Sequence, residues 1–294
     1  MKEKITLLDA LIIKFPDCTK TTVRDWIKQG RIAVDKTVVK IPSQEVDSGQ
    51  DISLLPPRRK IDDAILPTCR IIFEDPHIVV VEKKSGSLSV ETDKSSLSSV
   101  HSDLKQRYHP NKVFVVHRLD QGTSGLMVFA RTQTAFTHLK GQLEKRSMHR
   151  EYIAIVKGKP KEPVGTWHTR VFEDKNFHVH VIQNPNEGEE AITHYETLAY
   201  RNPYTVIRAK LETGKKNQIR VHCQHAGIPI VGDDRYGGDM GSTKRLLLHA
   251  YTLELDHPIN RKKLVFYSPI PRVFPYFVPA KQWILPPMTL EPIA

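Results

Sequence analysis

The stretch Val115-Val116-His117-Arg118-Leu119-Asp120-Gln121-Gly122-Thr123-Ser124-Gly125-Leu126-Met127-Val128-Phe129-Ala130 decides how the rest of the chain is read. Two apolar runs, each with the character of a buried strand, enclose a polar insert holding one acid, one His and one Arg. Gly122, Thr123, Ser124 and Gly125 make that insert a tight turn. The strands on either side would fix Asp120 at the mouth of the turn, with Arg118 two residues before it. Catalytic groups concentrate on loops carried by a rigid scaffold. On the residues alone, a surface turn whose Asp caps a neighbouring amide is an equal alternative.

The 294 residues leave room for one large domain, or for a small one joined to a larger one. A hydrophobic share of 39% is enough for a packed core. No apolar run approaches the roughly 20 residues of a membrane span. Met1-Lys2-Glu3-Lys4 leads into an amphipathic segment rather than a signal-peptide core. Cys18, Cys69 and Cys223, odd in number and far apart, make no disulfide framework, so a reducing, cytoplasmic setting without membrane attachment is expected. The net charge of +11 favours a polyanionic partner, because neutralising phosphates releases counterions. Charge does not separate RNA from DNA or a ribosome surface.

Outward from the central stretch, Leu7, Leu8, Leu11 and Ile12 recur at helical spacing. Thr19-Lys20-Thr21-Thr22 starts a second helix whose buried stripe is Val23, Trp26 and Ile27, and Gly30 stands where a C-terminal glycine belongs. Arg31–Val34, Val38-Val39 and Ile52–Leu54 read as short strands. Lys20, Arg24, Lys28 and Arg31 would line one edge of this compact module, residues 1–55. Pro56-Pro57-Arg58-Arg59-Lys60 opens a stiff linker, residues 56–68. The larger domain, residues 69–294, begins with a hairpin, Ile71–Phe73 and Ile78–Val81, ended by Lys83-Lys84-Ser85-Gly86. A weak helix spans Ser96 to about Tyr108, a second opens near Thr132, and Tyr152–Val156 is a strand closed by Gly158. Strand runs outnumber helices, so the expected fold class is α+β, with a mixed, mainly antiparallel sheet.

A second polar cluster, Glu212-Thr213-Gly214-Lys215-Lys216-Asn217-Gln218-Ile219-Arg220-Val221-His222, follows an apolar strand. Alternation would leave Arg220 pointing opposite to Ile219 and Val221. A guanidinium held in that way meets a carboxylate, and Asp120 is the acid expected to pair with it; an ordinary structural ion pair is the alternative. Gly232-Asp233-Asp234-Arg235-Tyr236-Gly237 reads as a turn-rich loop. His222-Cys223-Gln224-His225 lacks a second pair at zinc spacing, so no metal is expected. No glycine-rich phosphate loop, dinucleotide fingerprint or Gly-x-Ser-x-Gly elbow is present, and no cofactor is expected.

His117-Arg118-Leu119-Asp120 with Thr123-Ser124-Gly125 resembles the signature of the RluA-type pseudouridine synthases, which isomerise uridine in structured RNA. Four further pieces follow in the family's order: Glu74-Asp75 through Gly86, Arg150-Glu151-Tyr152, Glu212 through His222, and Pro229 through Gly237 with Leu248-His249-Ala250. Trp26 through Asp35 resembles the S-four-like RNA-binding domain that members often carry at the N-terminus. The resemblance implies a role for each matched residue. Asp120 would be the catalytic acid, and Arg220 would keep it ionised. Tyr152 would stack on the uracil and help remove the carbon-5 proton, while Arg118 would hold the space left by the flipped base. His117, Lys215 and the module's Lys20, Arg24, Lys28 and Arg31 would add RNA contacts.

The chain departs from the family's pattern beside the site. Lys84 stands where a Pro is usual, and Lys215-Lys216-Asn217 where Arg-Thr-His is usual. The implied partner is RNA, with large-subunit ribosomal RNA ahead of transfer RNA, and a monomer is expected. Two other readings are a non-catalytic RNA-binding or ribosome-assembly protein with the same fold, and a base-releasing hydrolase.

Overall fold

The computed structural model describes residues 4–16, 18–28, 30–35, 37–47, 49–55, 64–92, 97–238 and 243–283. The chain divides into two compact units, Met1–Ala64 and Ile65–Ala294.

The first unit runs β1 (Lys4–Thr6), α1 (Leu7–Lys14), α2 (Lys20–Lys28), β2 (Ile32–Val34), β3 (Thr37–Val39), β4 (Glu45–Asp47) and β5 (Ile52–Leu54). The Thr6 side chain caps α1 by accepting from the Asp9 N–H. Leu7, Leu8 and Leu11 of α1 pack with Val23 and Ile27 of α2 over the sheet residues Ile32, Val34, Val39 and Ile52. Gly30, at φ +66°, ends α2 as expected. The β1–β4 ribbon is an addition to the sequence reading, in which neither segment is apolar enough to stand out.

The second unit carries β6 (Cys69–Glu74), β7 (Ile78–Lys83), α3 (Val100–Tyr108), β8 (Phe114–Val115), β9 (Ser124–Ala130), α4 (Gln133–Glu144) and β10 (His149–Lys157). It continues with β11 (Val164–Glu173), β12 (Val179–Ile182), β13 (Glu189–Arg201), β14 (Tyr204–Leu211), α5 (Gln218–His225), β15 (Leu248–Asp256) and β16 (Lys263–Tyr267). One sheet takes all its strands in the order β12-β11-β13-β14-β10-β15-β9-β7-β6, with β16 on β15 and β8 on β9. Every pairing in it is antiparallel except β15 with β9. β9 is buried along its whole length, as its unbroken apolar run requires of a central strand. Helix α4, capped by Thr132, lays Ala135 and Leu139 on Val80, Leu126, Val128 and Leu253.

Three local readings change. The helix expected from Ser96 starts at Val100, because Ser99 and Ser102 form a capping box; Ser96 itself lies outside the described residues. Residues 56–63 of the expected linker also lie outside them. Its last part belongs to the second unit: Ile65 bridges Arg70, and Thr68 donates to Asp103 at 2.6 Å. Arg220 stands on a helix, not a strand, because Asn217 in the left-handed region (φ +52°) turns the chain into α5. Ile219 is then buried by helical packing rather than by alternation.

Candidate active site

Asp120 lies on the turn between β8 and β9, and the braces of that turn come from the end of β7 and the short segment after it. The Ser89 hydroxyl accepts from the Leu119 N–H at 3.0 Å and donates to the Leu119 carbonyl at 2.6 Å. The Gln121 carbonyl accepts from the Gly86 N–H at 2.8 Å and from the Lys83 ammonium at 3.0 Å. Ser85 donates to the Gly122 carbonyl at 2.7 Å. Lys83 is fully buried and also donates to the carbonyls of Ser87 and Lys84. Carbonyl oxygens rather than a carboxylate hold this ammonium, so burial pushes its pKa down to about 7 against the pull of Asp120. The sequence places Lys83 only at a strand end, and nothing in it marks the residue as a buttress of the Asp120 turn.

Sheet register aligns the turn with Tyr152. On neighbouring strands Gly125 faces Ala250, and Ala250 faces Tyr152. Gly125 has φ +112°, and a Cβ there would stand 2.2 Å from the Ala250 carbonyl oxygen, so only glycine lets β9 approach β15. The register shifts between Glu151 and Tyr152 because β15 carries one extra residue there, Tyr251, a bulge of the kind found beside active sites. Tyr152 is buried behind the cleft wall, close enough to Asp120 to feel its charge; burial first, then that charge, push its hydroxyl pKa up.

Arg220 reaches Asp120 from α5, with Nη1 donating at 3.3 Å. The expected pair therefore forms, but the guanidinium is shared. Asp233 takes Nε and Nη2, both at 2.8 Å, and the Asn217 amide oxygen also accepts from Nη1 at 3.2 Å. Asp233 is itself anchored by the Arg235 and Tyr236 N–H groups. Its side chain has no exposure, whereas Asp120 keeps 26%, so Asp120 is the carboxylate that faces the cleft and Asp233 the one that fixes the guanidinium. Burial alone would lower the Arg220 pKa; Asp233 above all, with Asp120, reverses this and pushes it up. For Asp120, burial outweighs the downward pull of Arg220, and Asp233 adds to the rise, so its pKa stands above the ordinary value of 3.8. The sequence reading sees Asp233 only as part of a turn. Two acids in a glycine-rich loop carry no signal of which distant cation they meet.

Asp120, Arg220 and Asn217 line a cleft of about 1810 Å³, together with Arg118, Lys140, Arg150, Arg235, Lys244 and Arg245. Arg118 is exposed. His117 and Lys215 differ from expectation. The His117 Nε2 accepts from the Val128 N–H at 3.2 Å, and burial, with Arg150 and Lys140, pushes its pKa down to about 3, so it is a neutral internal brace. Lys215 donates to Glu189 at 2.5 Å, which answers its charge within the protein. In the first unit Lys20, Arg24 and Lys28 share one exposed face of α2 at four-residue spacing. Arg31 sits apart, its guanidinium over the Trp26 ring and its Nε on the Leu55 carbonyl.

Residues 77–225, which hold the Asp120 turn, Tyr152 and Arg220, match the model of the RNA pseudouridylate synthase family. The chain belongs to that family. Residues 7–52 match the S4 domain. Among relatives of this pseudouridine synthase, ribosomal large subunit pseudouridine synthase D of Pseudomonas aeruginosa is 33% identical over 285 residues, covering 88% of this chain and 87% of the relative. An uncharacterized RNA pseudouridine synthase of Bacillus subtilis is 30% identical, covering 86% of each chain. The solved structure of human RNA pseudouridylate synthase domain containing 1 shares the fold, with a TM-score of 0.59 at 22% identity over 73% of this chain and 87% of that one. The protein is thus an RNA-modifying isomerase that turns uridine into pseudouridine. Among the described residues no helix is long and apolar enough to cross a membrane.

Proposed function

We propose that this synthase modifies specific uridines of large-subunit ribosomal RNA, with Asp120 as the catalytic group. The observation that carries the reading is the braced turn that points a half-open carboxylate into the large cation-lined cleft, with Arg220 set behind it by Asp233. The names of relatives aligned over most of the chain support the choice of RNA.

In this reading the target base leaves its stack to reach Asp120, and Arg118 holds the vacated space. Asp120 promotes cleavage of the bond between N1 and the sugar. The freed uracil turns in the pocket and rejoins the sugar through carbon 5. Carbon 5 then loses its proton with help from Tyr152, and N1 gains one, so no redox change and no net hydrolysis occur. Base edges are out of reach in the deep groove of an RNA helix, so the target lies in a loop or bulge. Residues 1–55 add phosphate contacts through the Lys20, Arg24 and Lys28 face, and raise the local concentration of the catalytic unit on its RNA. The protein works as a cytoplasmic monomer.

The test is a pseudouridine map of all RNA in cells with and without the gene, complemented by wild type or Asp120→Asn. Large-subunit sites that vanish with the gene and return only with wild type support the reading. Transfer-RNA sites behaving so would replace the substrate, and an unchanged map would favour a non-catalytic binding role.

A further inference from the structure

The cations of the cleft fall into two groups. Arg146 is answered by Glu190 and Glu212, Lys215 by Glu189, Lys216 by Glu173, and Arg220 by Asp120 and Asp233. Arg118, Lys140, Arg150, Arg235, Lys244 and Arg245 line the same cleft, and among the described residues none of these six makes an ion pair. A half-buried guanidinium without an anion is costly, and the fold has kept more than one beside the reacting group.

Two of the six are held near the Asp120 site by different neighbours. Arg150 precedes Tyr152 by two residues on β10, and its guanidinium lies on Gly214, where a Cβ would come within 2.9 Å of Nη1. Its Nε is buried and has no hydrogen-bond partner, an unmet donor in a cleft wall. Its charge is felt by His117 and Tyr152, which places it on the Tyr152 side. Arg245 stands by the Asp120 turn, in the segment that leads into β15. Its Nη2 donates to the Ser124 hydroxyl at 2.8 Å and its Nε to the Leu246 carbonyl at 3.3 Å. Leu246 packs on Gly122 of the Asp120 turn, and Arg245 and Asp120 both act on the charge of Lys83. Gly232 makes this approach feasible: at φ +77°, a Cβ there would stand 1.9 Å from the Arg245 carbonyl oxygen.

We propose that Arg150 and Arg245 grip backbone phosphates beside the nucleotide presented to Asp120, while the cleft cations already answered by carboxylates make no phosphate contact. A guanidinium fork matches two phosphate oxygens at once, and its placement by Gly214 or by Ser124 pre-orders it. The proposal rests on the reading that the cleft takes RNA.

The experiment measures binding of the full-length protein to transcribed large-subunit ribosomal RNA from roughly 50 to 200 mM salt. Each lost phosphate contact should lower the slope of log affinity against log salt by about 0.7. Arg150→Gln and Arg245→Gln are each expected to lose that much slope and to weaken binding about tenfold at the low-salt end. Lys216→Gln, which removes a cation held by Glu173, should keep the wild-type slope. Because Arg245 also bonds Ser124, Arg245→Lys is the companion variant: it keeps the charge and should keep the slope. A wild-type slope in Arg150→Gln, or an equal loss in Lys216→Gln, overturns the proposal. Pseudouridine formed by wild type on the same RNA is counted in parallel. Product with unchanged slopes in both arginine variants sinks the phosphate grip alone. No product sinks the functional reading, and the slopes still decide whether the two arginines meet phosphate.

Discussion

The two units solve opposite problems. In the first, every buried side chain among the described residues is apolar, and its charges stand outside. In the second, Lys83, Asp233, His222 and His249 are buried almost completely, and the core is threaded with polar bonds that converge on the Asp120 turn. Even the charge is unequal: residues 1–64 hold twelve Lys and Arg against ten Asp and Glu, so most of the net +11 lies in the catalytic unit. All 14 histidines lie there too. A unit that only carries a binding face can be stabilised by hydrophobic burial. A unit that must aim a carboxylate needs directional bonds inside, and each buried polar group makes it more sensitive to mutation and to pH.

The contrast is most exposed to test at Asp233. Asp233→Ala leaves the Arg220 guanidinium without its two strongest bonds, and breaking a buried pair from one side costs roughly 3–5 kcal/mol. Denaturant unfolding should show that loss, with turnover falling at least as steeply, because Arg220 no longer has a fixed position behind Asp120.

Lys83→Met should cost about 2–3 kcal/mol, by removing a donor shared by three carbonyls of the turn segment and leaving that of Ser87 unpaired. Its pH signature separates it from a plain packing defect. The folded pKa of about 7 lies below the ordinary 10.5, so the charge penalty is full below pH 7 and relaxes as pH rises. Wild type should therefore gain stability relative to Lys83→Met between about pH 7 and 8.5; parallel curves would mean that the ammonium is not desolvated.

Acid should separate the units without any mutation. His117 and His249 are lowered to about 3, and His222 to about 4, all by burial first. Their contribution is complete above the ordinary value of 6.5 and is lost as pH falls toward 4. Hydrogen exchange at stepped pH should show amides of residues 65–283 losing protection in that window before those of residues 4–55. Simultaneous loss would break the contrast.

The smallest effects belong to the first unit's surface. Replacing Lys20, Arg24 and Lys28 together by Gln should change stability by less than about 0.5 kcal/mol. RNA binding should weaken several-fold, with turnover at saturating RNA unchanged. Unchanged affinity would remove the binding role assigned to that face.

How much of this was legible depended on how far apart the partners stand in sequence. The Asp120 turn announces itself, because Gly122, Thr123, Ser124 and Gly125 punctuate two apolar runs within 16 residues. The helices of the first unit were equally legible from their apolar spacing. Tyr152 reads by itself as one more strand residue, and only its resemblance to a family element singled it out. Arg220 was found, but on the wrong element: Ile219 and Val221 suit alternation and a short buried helix alike, and the left-handed Asn217 that starts α5 has no local sign. Asp233, Lys83 and Arg245 were not found at all. Each matters through a partner from 13 to 121 residues away, and such pairings are set by the tertiary fold rather than by local pattern.

The most direct measurement is pseudouridine formed in transcribed large-subunit ribosomal RNA by the purified wild type and by Asp120→Asn, with RNA binding measured beside it. The expected result is product from wild type, none from Asp120→Asn, and binding by the variant within about threefold of wild type. Product from Asp120→Asn, or free uracil released by wild type in its place, would contradict the role given to the Asp120 turn.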